Sequence, residues 1–265
     1  MAFSYVLPLT LKNRYGGERA RLILLRDTLQ KFHPEAKVYA FCPSDEVSSV
    51  RRVLSFDQFD VQSEDDLLQG RKHPLGWRTQ QMVKLAAHQL FDVEEYYTTI
   101  DADNFLIRPF ERRYLFLEEG KSFFFEEENL PASRLFLEHT LEYLGIKDEG
   151  YATLMPTPPF TFHVGAVKST VEFVADIKKK FWLDALSYGG WQELSLYFIA
   201  GRKQNWWSRV HQSIKWPVVA VYYSMLEFKR DLKNNNTGSA YACMHSAGGV
   251  SALYVRRLLR EFEIL

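Results

Sequence analysis

Between Ser4 and Val61 the chain alternates between two periodicities, and that alternation limits its fold more than any other feature. Ser4 to Leu11 alternates and is rich in β-formers, which predicts a strand. Tyr15-Gly16-Gly17 breaks it, and Leu22, Leu25 and Leu29 then give Glu18 to Phe32 helical spacing. Lys37 to Phe41 reads as a short buried strand stopped by Pro43, with Ser44 and Asp45 suited to cap a helix running through Leu54. Phe59 to Val61 is a further strand. Strand, helix, strand, helix, strand at this spacing predicts an α/β fold with a Rossmann-type sheet flanked by helices.

Downstream, Pro74-Leu75-Gly76 introduces a predicted helix from Trp77 to Phe91, with Val83, Ala86, Ala87 and Leu90 on its apolar face. Glu95 to Ile100 reads as a strand that runs straight into Asp101-Ala102-Asp103-Asn104, after which Phe105 to Ile107 resumes the apolar pattern. Ser122 to Phe125 is a predicted strand ending at Glu126, Glu127 and Glu128. Phe160 to Val167 is read as another strand, Thr170 to Trp182 and Glu193 to Ile199 as helices, Lys229 to Gly238 as a polar loop, and Val250 to Phe262 as a final helix. No repeat or low-complexity linker interrupts the chain, so residues 1–265 are expected to form a single domain.

Composition narrows the function classes. Hydrophobic residues make up 46%, enough for a packed interior. Lys plus Arg and Asp plus Glu balance at 33 each, which argues against a nucleic-acid binder that works by bulk charge. The runs Lys178 to Lys180 and Arg256, Arg257, Arg260 read as solvated helix faces. Two cysteines, Cys42 and Cys243, make no disulfide framework, and the first residues lack a secretory leader pattern. A reducing cytoplasm is the expected location, with no transmembrane segment.

Asp101-Ala102-Asp103 carries the most chemistry. Open α/β sheets bind ligands at the carboxyl ends of their strands. Two carboxylates one residue apart at such an end can reach one hard cation, Mn²⁺ or Mg²⁺, which would neutralise a diphosphate leaving group. The competing reading is a polar turn that ends a strand.

Tyr96 to Phe105, Tyr-Tyr-Thr-Thr-Ile-Asp-Ala-Asp-Asn-Phe, resembles the metal-binding D-x-D segment of GT-A-fold glycosyltransferases. Gly76 to Leu85, then Asp101 to Asp103, then Phe162-His163-Val164-Gly165, then Met244-His245-Ser246 together resemble a group of poorly characterised bacterial GT-A-like transferases. The resemblance implies a GT-A-like mixed sheet and a metal-dependent transfer of a sugar from a nucleotide-sugar, UDP-sugar by default, to a hydroxyl of an acceptor glycan or similar molecule. It implies nucleotide-sugar and metal in residues 1–110 and the acceptor in residues 111–265.

Residue by residue, the resemblance implies Asp101 and Asp103 on the cation, with Ala102 between them at the donor and His245 as a late third ligand; the plain alternative for His245 is a satisfied structural histidine. Thr10, Lys12 and Arg14 follow the first strand, where base, ribose or phosphate would lie; an ordinary basic turn explains them equally well. Arg78, Gln81 and Lys84 share one helix face at spacings of three and would grip sugar and diphosphate, with Trp77 stacking on the base. The plain alternative is a solvated polar face. His163, Gly165 and Trp191 are expected toward the acceptor. Glu193, opening a helix, would be the general base that takes the acceptor proton, unless it merely complements the helix N-terminus.

Two other classes compete. A nucleotidyltransferase acting on sugar phosphates shares the layout, but Leu9 to Gly17 lacks the glycine-rich basic loop such enzymes use. A non-catalytic nucleotide-sugar-binding protein would not need an intact D-x-D.

Overall fold

A computed structural model of the chain describes residues 3–12, 17–93, 95–117, 120–125, 131–154, 158–214, 219–234, 239–244 and 251–265. In chain order its elements are β1 (Ser4–Pro8), α1 (Glu18–Phe32), β2 (Lys37–Cys42), α2 (Val47–Val53), β3 (Phe59–Ser63), α3 (Glu64–Leu67), α4 (Gly76–Ala86), β4 (Tyr96–Thr99), β5 (Asn104–Leu106), β6 (Ser122–Phe125) and α5 (Pro131–Leu144). They continue with β7 (Phe160–His163), α6 (Val164–Lys178), α7 (Trp182–Leu186), α8 (Glu193–Lys203), α9 (Trp207–Val210), β8 (His211–Ile214), β9 (Val219–Tyr222), α10 (Met225–Lys233), β10 (Tyr241–Met244) and α11 (Ala252–Glu261). The strands form a five-stranded sheet of order β3-β2-β1-β4-β7, a three-stranded sheet β5-β10-β9 and a pair β6-β8. In the larger sheet the order reverses at β1, the switch point at which open α/β folds place their ligands. The segments that leave β1 and β4 carry Thr10 and Asp101 respectively.

By internal contacts the chain divides into one unit of residues 1–63, 99–115 and 217–265 and another of residues 64–98 and 116–216. In the first unit Tyr5, Val6 and Leu7 have no exposed surface, as a strand covered on both faces requires. β1 runs parallel to β2 from Ser4↔Lys37 to Pro8↔Phe41, and β2 parallel to β3 from Val38↔Phe59 to Cys42↔Ser63. Leu22, Leu25 and Leu29 bury one stripe of α1, as their spacing predicts. A separate cluster joins Leu24 to Phe105, Phe228, Met244, Val255, Leu258 and Leu259. Ala252, Val255 and Leu259 lie three or four apart on α11 and bury one face of that helix, while its other side carries arginines together with the exposed Leu253 and Tyr254.

In the second unit α8 is the central helix: every residue from Glu193 to Gly201 is buried. Met82, Val83, Leu85 and Ala86 of α4 and Phe162 of β7 are likewise interior. Thr98 and Thr161 exchange a hydroxyl hydrogen bond of 2.8 Å between β4 and β7. Among the described residues no helix is long and apolar enough to cross a membrane. Cys42 and Cys243 are both buried and neither is in a disulfide.

Several boundaries differ from expectation for local reasons. Ser44 and Asp45 do not cap α2: Ser44 bonds Ser63 at 2.6 Å and Asp45 takes the Lys12 ammonium. The predicted strand Phe160 to Val167 stops at His163, whose Nδ1 accepts the Ala166 N–H at 3.3 Å and so caps α6. The helix expected to reach Phe91 tightens to a 3₁₀ turn over Ala87–Leu90. Lys229 to Lys233, read as loop, belongs to α10, which Ser224 caps by accepting the Leu226 N–H at 3.2 Å.

Candidate functional site

In the first unit, Asp101-Ala102-Asp103 forms a turn between β4 and β5. The Asn104 N–H donates to the Asp101 carbonyl at 2.9 Å, and the Asp101 N–H donates to Asn104 Oδ1 at 2.8 Å. The turn is therefore closed twice, once by backbone and once by a buried side chain. From the other side the Met244 N–H donates to the Asp103 carbonyl at 3.1 Å, because β10 pairs antiparallel with β5. These bonds fix the backbone while Asp101, Ala102 and Asp103 stay partly exposed.

The electrostatics of the turn are unbalanced. Burial, and next the Asp101 carboxylate, push Asp103 up to about 7; Arg21 opposes this, Glu18 adds to it, and the Cys243 thiol opposes it by hydrogen bonding. Burial and the same two carboxylates push the Cys243 thiol up, so it remains protonated and can donate to Asp103. Arg21 is ion-paired with Glu18 in a mostly buried pair. A carboxylate raised by burial and a neighbouring acid, as Asp103 is, suits a divalent cation, whose charge would offset both effects. Among the described residues no group of three or more His, Cys, Asp or Glu side chains is arranged to hold a metal. His245, the expected third ligand, lies outside the described residues, as does Arg14.

At the end of β1 the polar residues turn toward two acids. Thr10 Oγ1 donates to Glu46 Oε1 at 3.0 Å, and the Leu11 N–H donates to Glu46 Oε2 at 2.5 Å. The Lys12 N–H donates to Thr10 Oγ1 at 3.2 Å, and its ammonium meets Asp45 in an exposed pair. Glu46 is buried and shapes this loop. Sequence reading missed Glu46, Arg21 and Cys243 because each matters only through its tertiary neighbours.

In the second unit, α4 and the start of α8 interlock. Lys84 Nζ lies 3.3 Å from Glu193 Oε1, with side chains 6% and 4% exposed. Gln81 Oε1 accepts the Glu193 N–H at 3.3 Å. One turn earlier Arg78 donates to the Gly189 carbonyl, which His73 Nε2 also approaches at 3.2 Å. The row Arg78, Gln81, Lys84 does share a face, as its spacing predicts, and that face is fastened to residues 189–193 rather than lying in solvent. Gln192 caps α8 by accepting the Ser195 N–H at 2.8 Å.

The remaining expected residues each have a different setting. Trp191 is fully buried, and its indole N–H donates to the Leu186 and Tyr188 carbonyls at 3.2 and 3.0 Å. It is enclosed in the interior and presents no exposed surface toward the acceptor expected of it. Trp77 is 41% exposed, with the Arg78 guanidinium 5.0 Å from its ring centre, so it does present an aromatic surface. His163 caps α6 and meets Tyr96 edge-on at 4.8 Å. Gly165 lets two backbones approach: its N–H donates to the Val93 carbonyl at 2.9 Å, and a Cβ there would sit 2.9 Å from that oxygen.

Comparison with known proteins places this geometry. Galactosyltransferase LgtC, in complex with donor and acceptor sugar analogues, aligns with 98% of this chain and 96% of its own at 12% identity and a TM-score of 0.52. An active-site mutant of LgtC aligns with the same values. The bifunctional glycosyltransferase WbbM, in its apo form, aligns with 98% of this chain and 51% of its own at 9% identity and a TM-score of 0.47. No curated protein sequence matches the chain. The LgtC alignment shows the fold, a central mixed sheet flanked by helices of the GT-A type. Residues 1–245 match the model of a family described as "Family of unknown function (DUF6492)", and the chain belongs to that family.

Proposed function

We propose that this protein transfers a sugar from a nucleotide-sugar, UDP-sugar by default, to an acceptor hydroxyl, with Asp101 and Asp103 holding Mn²⁺ or Mg²⁺. The observation that carries this reading is the doubly closed turn at the end of β4, in a chain with the GT-A fold. That LgtC was captured with donor and acceptor sugar analogues supports the same reaction class. Bound there, the cation would supply charge neutralisation for the departing diphosphate. Asn104 and Met244 keep the Asp101 and Asp103 backbones in place, so little reorganisation is needed on binding. Cys243 orients the Asp103 carboxylate by donating to it.

Glu193 is assigned a positioning role in place of the expected general base. A carboxylate 4% exposed and ion-paired with Lys84 holds the first turn of α8 against α4. Within its own unit, Trp77 presents an exposed ring of the kind that stacks on a flat base or sugar face.

The test is a panel of nucleotide-sugars with and without Mn²⁺, read by release of the nucleoside diphosphate. Metal-dependent release that Asp103→Ala abolishes supports the reading. Pyrophosphate release from a nucleoside triphosphate and a sugar phosphate would replace it with nucleotidyl transfer, and metal-independent turnover by Asp103→Ala would remove the metal from it.

A further inference from the structure

Beside the end of β1 lies a cavity of about 140 Å³ lined by Leu11, Arg19, Ser49, Arg52 and Val53. Water occupies about 30 Å³ per molecule in the liquid, and sites for drug-sized ligands run to about 300–1,000 Å³. The space is smaller than sites that enclose a whole drug-sized ligand and can take a phosphate-sized group.

Its chemistry is cationic. Arg19 and Arg52 are both exposed, and neither forms an ion pair with a carboxylate among the described residues. Arg52 donates instead to Ser49 Oγ at 3.2 Å. The acids near this end of β1 are engaged with other groups: Glu46 with Leu11 and Thr10, Asp45 with Lys12, Glu18 with Arg21. Two guanidinium groups on one small cavity repel each other, and an oxyanion between them converts that repulsion into paired, directional hydrogen bonds. The Ser49 hydroxyl adds a further donor.

We propose that Arg19, Ser49 and Arg52 form a binding site for a phosphate monoester or free phosphate. The site does not rest on the glycosyl-transfer reading, because it uses neither Asp101, Asp103 nor a metal. Lys12, one of the two basic residues the sequence pointed to, is turned to Asp45, and among the described residues the cationic lining of this cavity comes from α1 and α2.

The experiment is titration calorimetry with inorganic phosphate and, separately, uridine monophosphate, in metal-free buffer at constant ionic strength. Wild type is compared with Arg19→Gln, Arg52→Gln and Arg202→Gln, the last an exposed arginine on α8. Binding weakened about ten-fold or more by Arg19→Gln and by Arg52→Gln, and unchanged by Arg202→Gln, supports the site. Tighter binding of the monophosphate than of phosphate assigns the group to a nucleotide, and equal binding assigns it to free phosphate; both support the site. The metal-free buffer separates this site from the metal reading. Equal affinity in wild type and the Arg19→Gln/Arg52→Gln double variant, or an equal loss in Arg202→Gln, overturns the proposal. Both arginines are exposed, so the variants should fold, and melting curves check this.

Discussion

Lys84 and Glu193 stand 109 residues apart in sequence and meet as a buried ion pair, Nζ to Oε1 at 3.3 Å. Removing one partner of such a pair strands a charge in the interior, whereas replacing both with apolar groups of similar size can be neutral.

Lys84→Met and Glu193→Leu should each destabilise by about 3–5 kcal/mol, and the double variant should recover much of that loss. Urea unfolding of the four proteins measures the coupling. Additive losses would mean that the two side chains act independently. A Glu193→Gln variant with normal stability and no turnover would restore Glu193 as a base.

Gly189 has φ +93°, and a Cβ added there would lie 2.3 Å from Tyr143 Cδ2. Tyr143 cannot swing freely, since its hydroxyl donates to the Ala185 carbonyl at 2.8 Å. Gly189→Ala should cost about 1–3 kcal/mol, from the positive φ together with the clash. Gly76→Ala, with nothing within 4 Å of the added carbon, should be neutral or stabilise by up to about 1 kcal/mol. Unfolding midpoints of the two variants on either side of wild type would bear this out.

Acid stability should depend on His211. It is buried between Ser122 at 2.6 Å and the Tyr197 hydroxyl at 2.9 Å. Burial, followed by the charge of His163, lowers it from 6.5 to about 3, against a smaller opposing effect of Ser122. Its contribution is fully present above about pH 6.5. As pH falls from there toward 3, the unfolded chain binds a proton that the native chain refuses, so stability is lost over that window, on the order of a few kcal/mol. His211→Asn should flatten the acid limb of a stability-versus-pH curve, and an unchanged slope would contradict the assignment.

The legible parts of this fold are those where local pattern and tertiary burial agree. α1 is readable because Leu22, Leu25 and Leu29 recur at helical spacing and all lie on its buried side. β1 and β4 are readable because short apolar runs end in polar turns. The β7–α6 boundary is hidden, since Phe160 to Val167 shows no break and only the His163 cap ends the strand. The partners of the candidate site are hidden for a different reason. Cys243 reaches Asp103 only because β10 pairs with β5 at the register Cys243↔Asn104, and Glu46 reaches Leu11 across a separation of 35 residues. The row Arg78, Gln81, Lys84 is visible as a face, but nothing in its spacing says that the face looks at Gly189 and Glu193 instead of a ligand.

The most direct test is calorimetric titration of uridine diphosphate into the protein with Mn²⁺ and with chelator, for wild type and for Asp101→Ala and Asp103→Ala. The predicted result is binding by wild type with Mn²⁺ that is lost with chelator and in both variants. Binding of equal strength in all of these conditions would contradict a cation held between the carboxylates at positions 101 and 103.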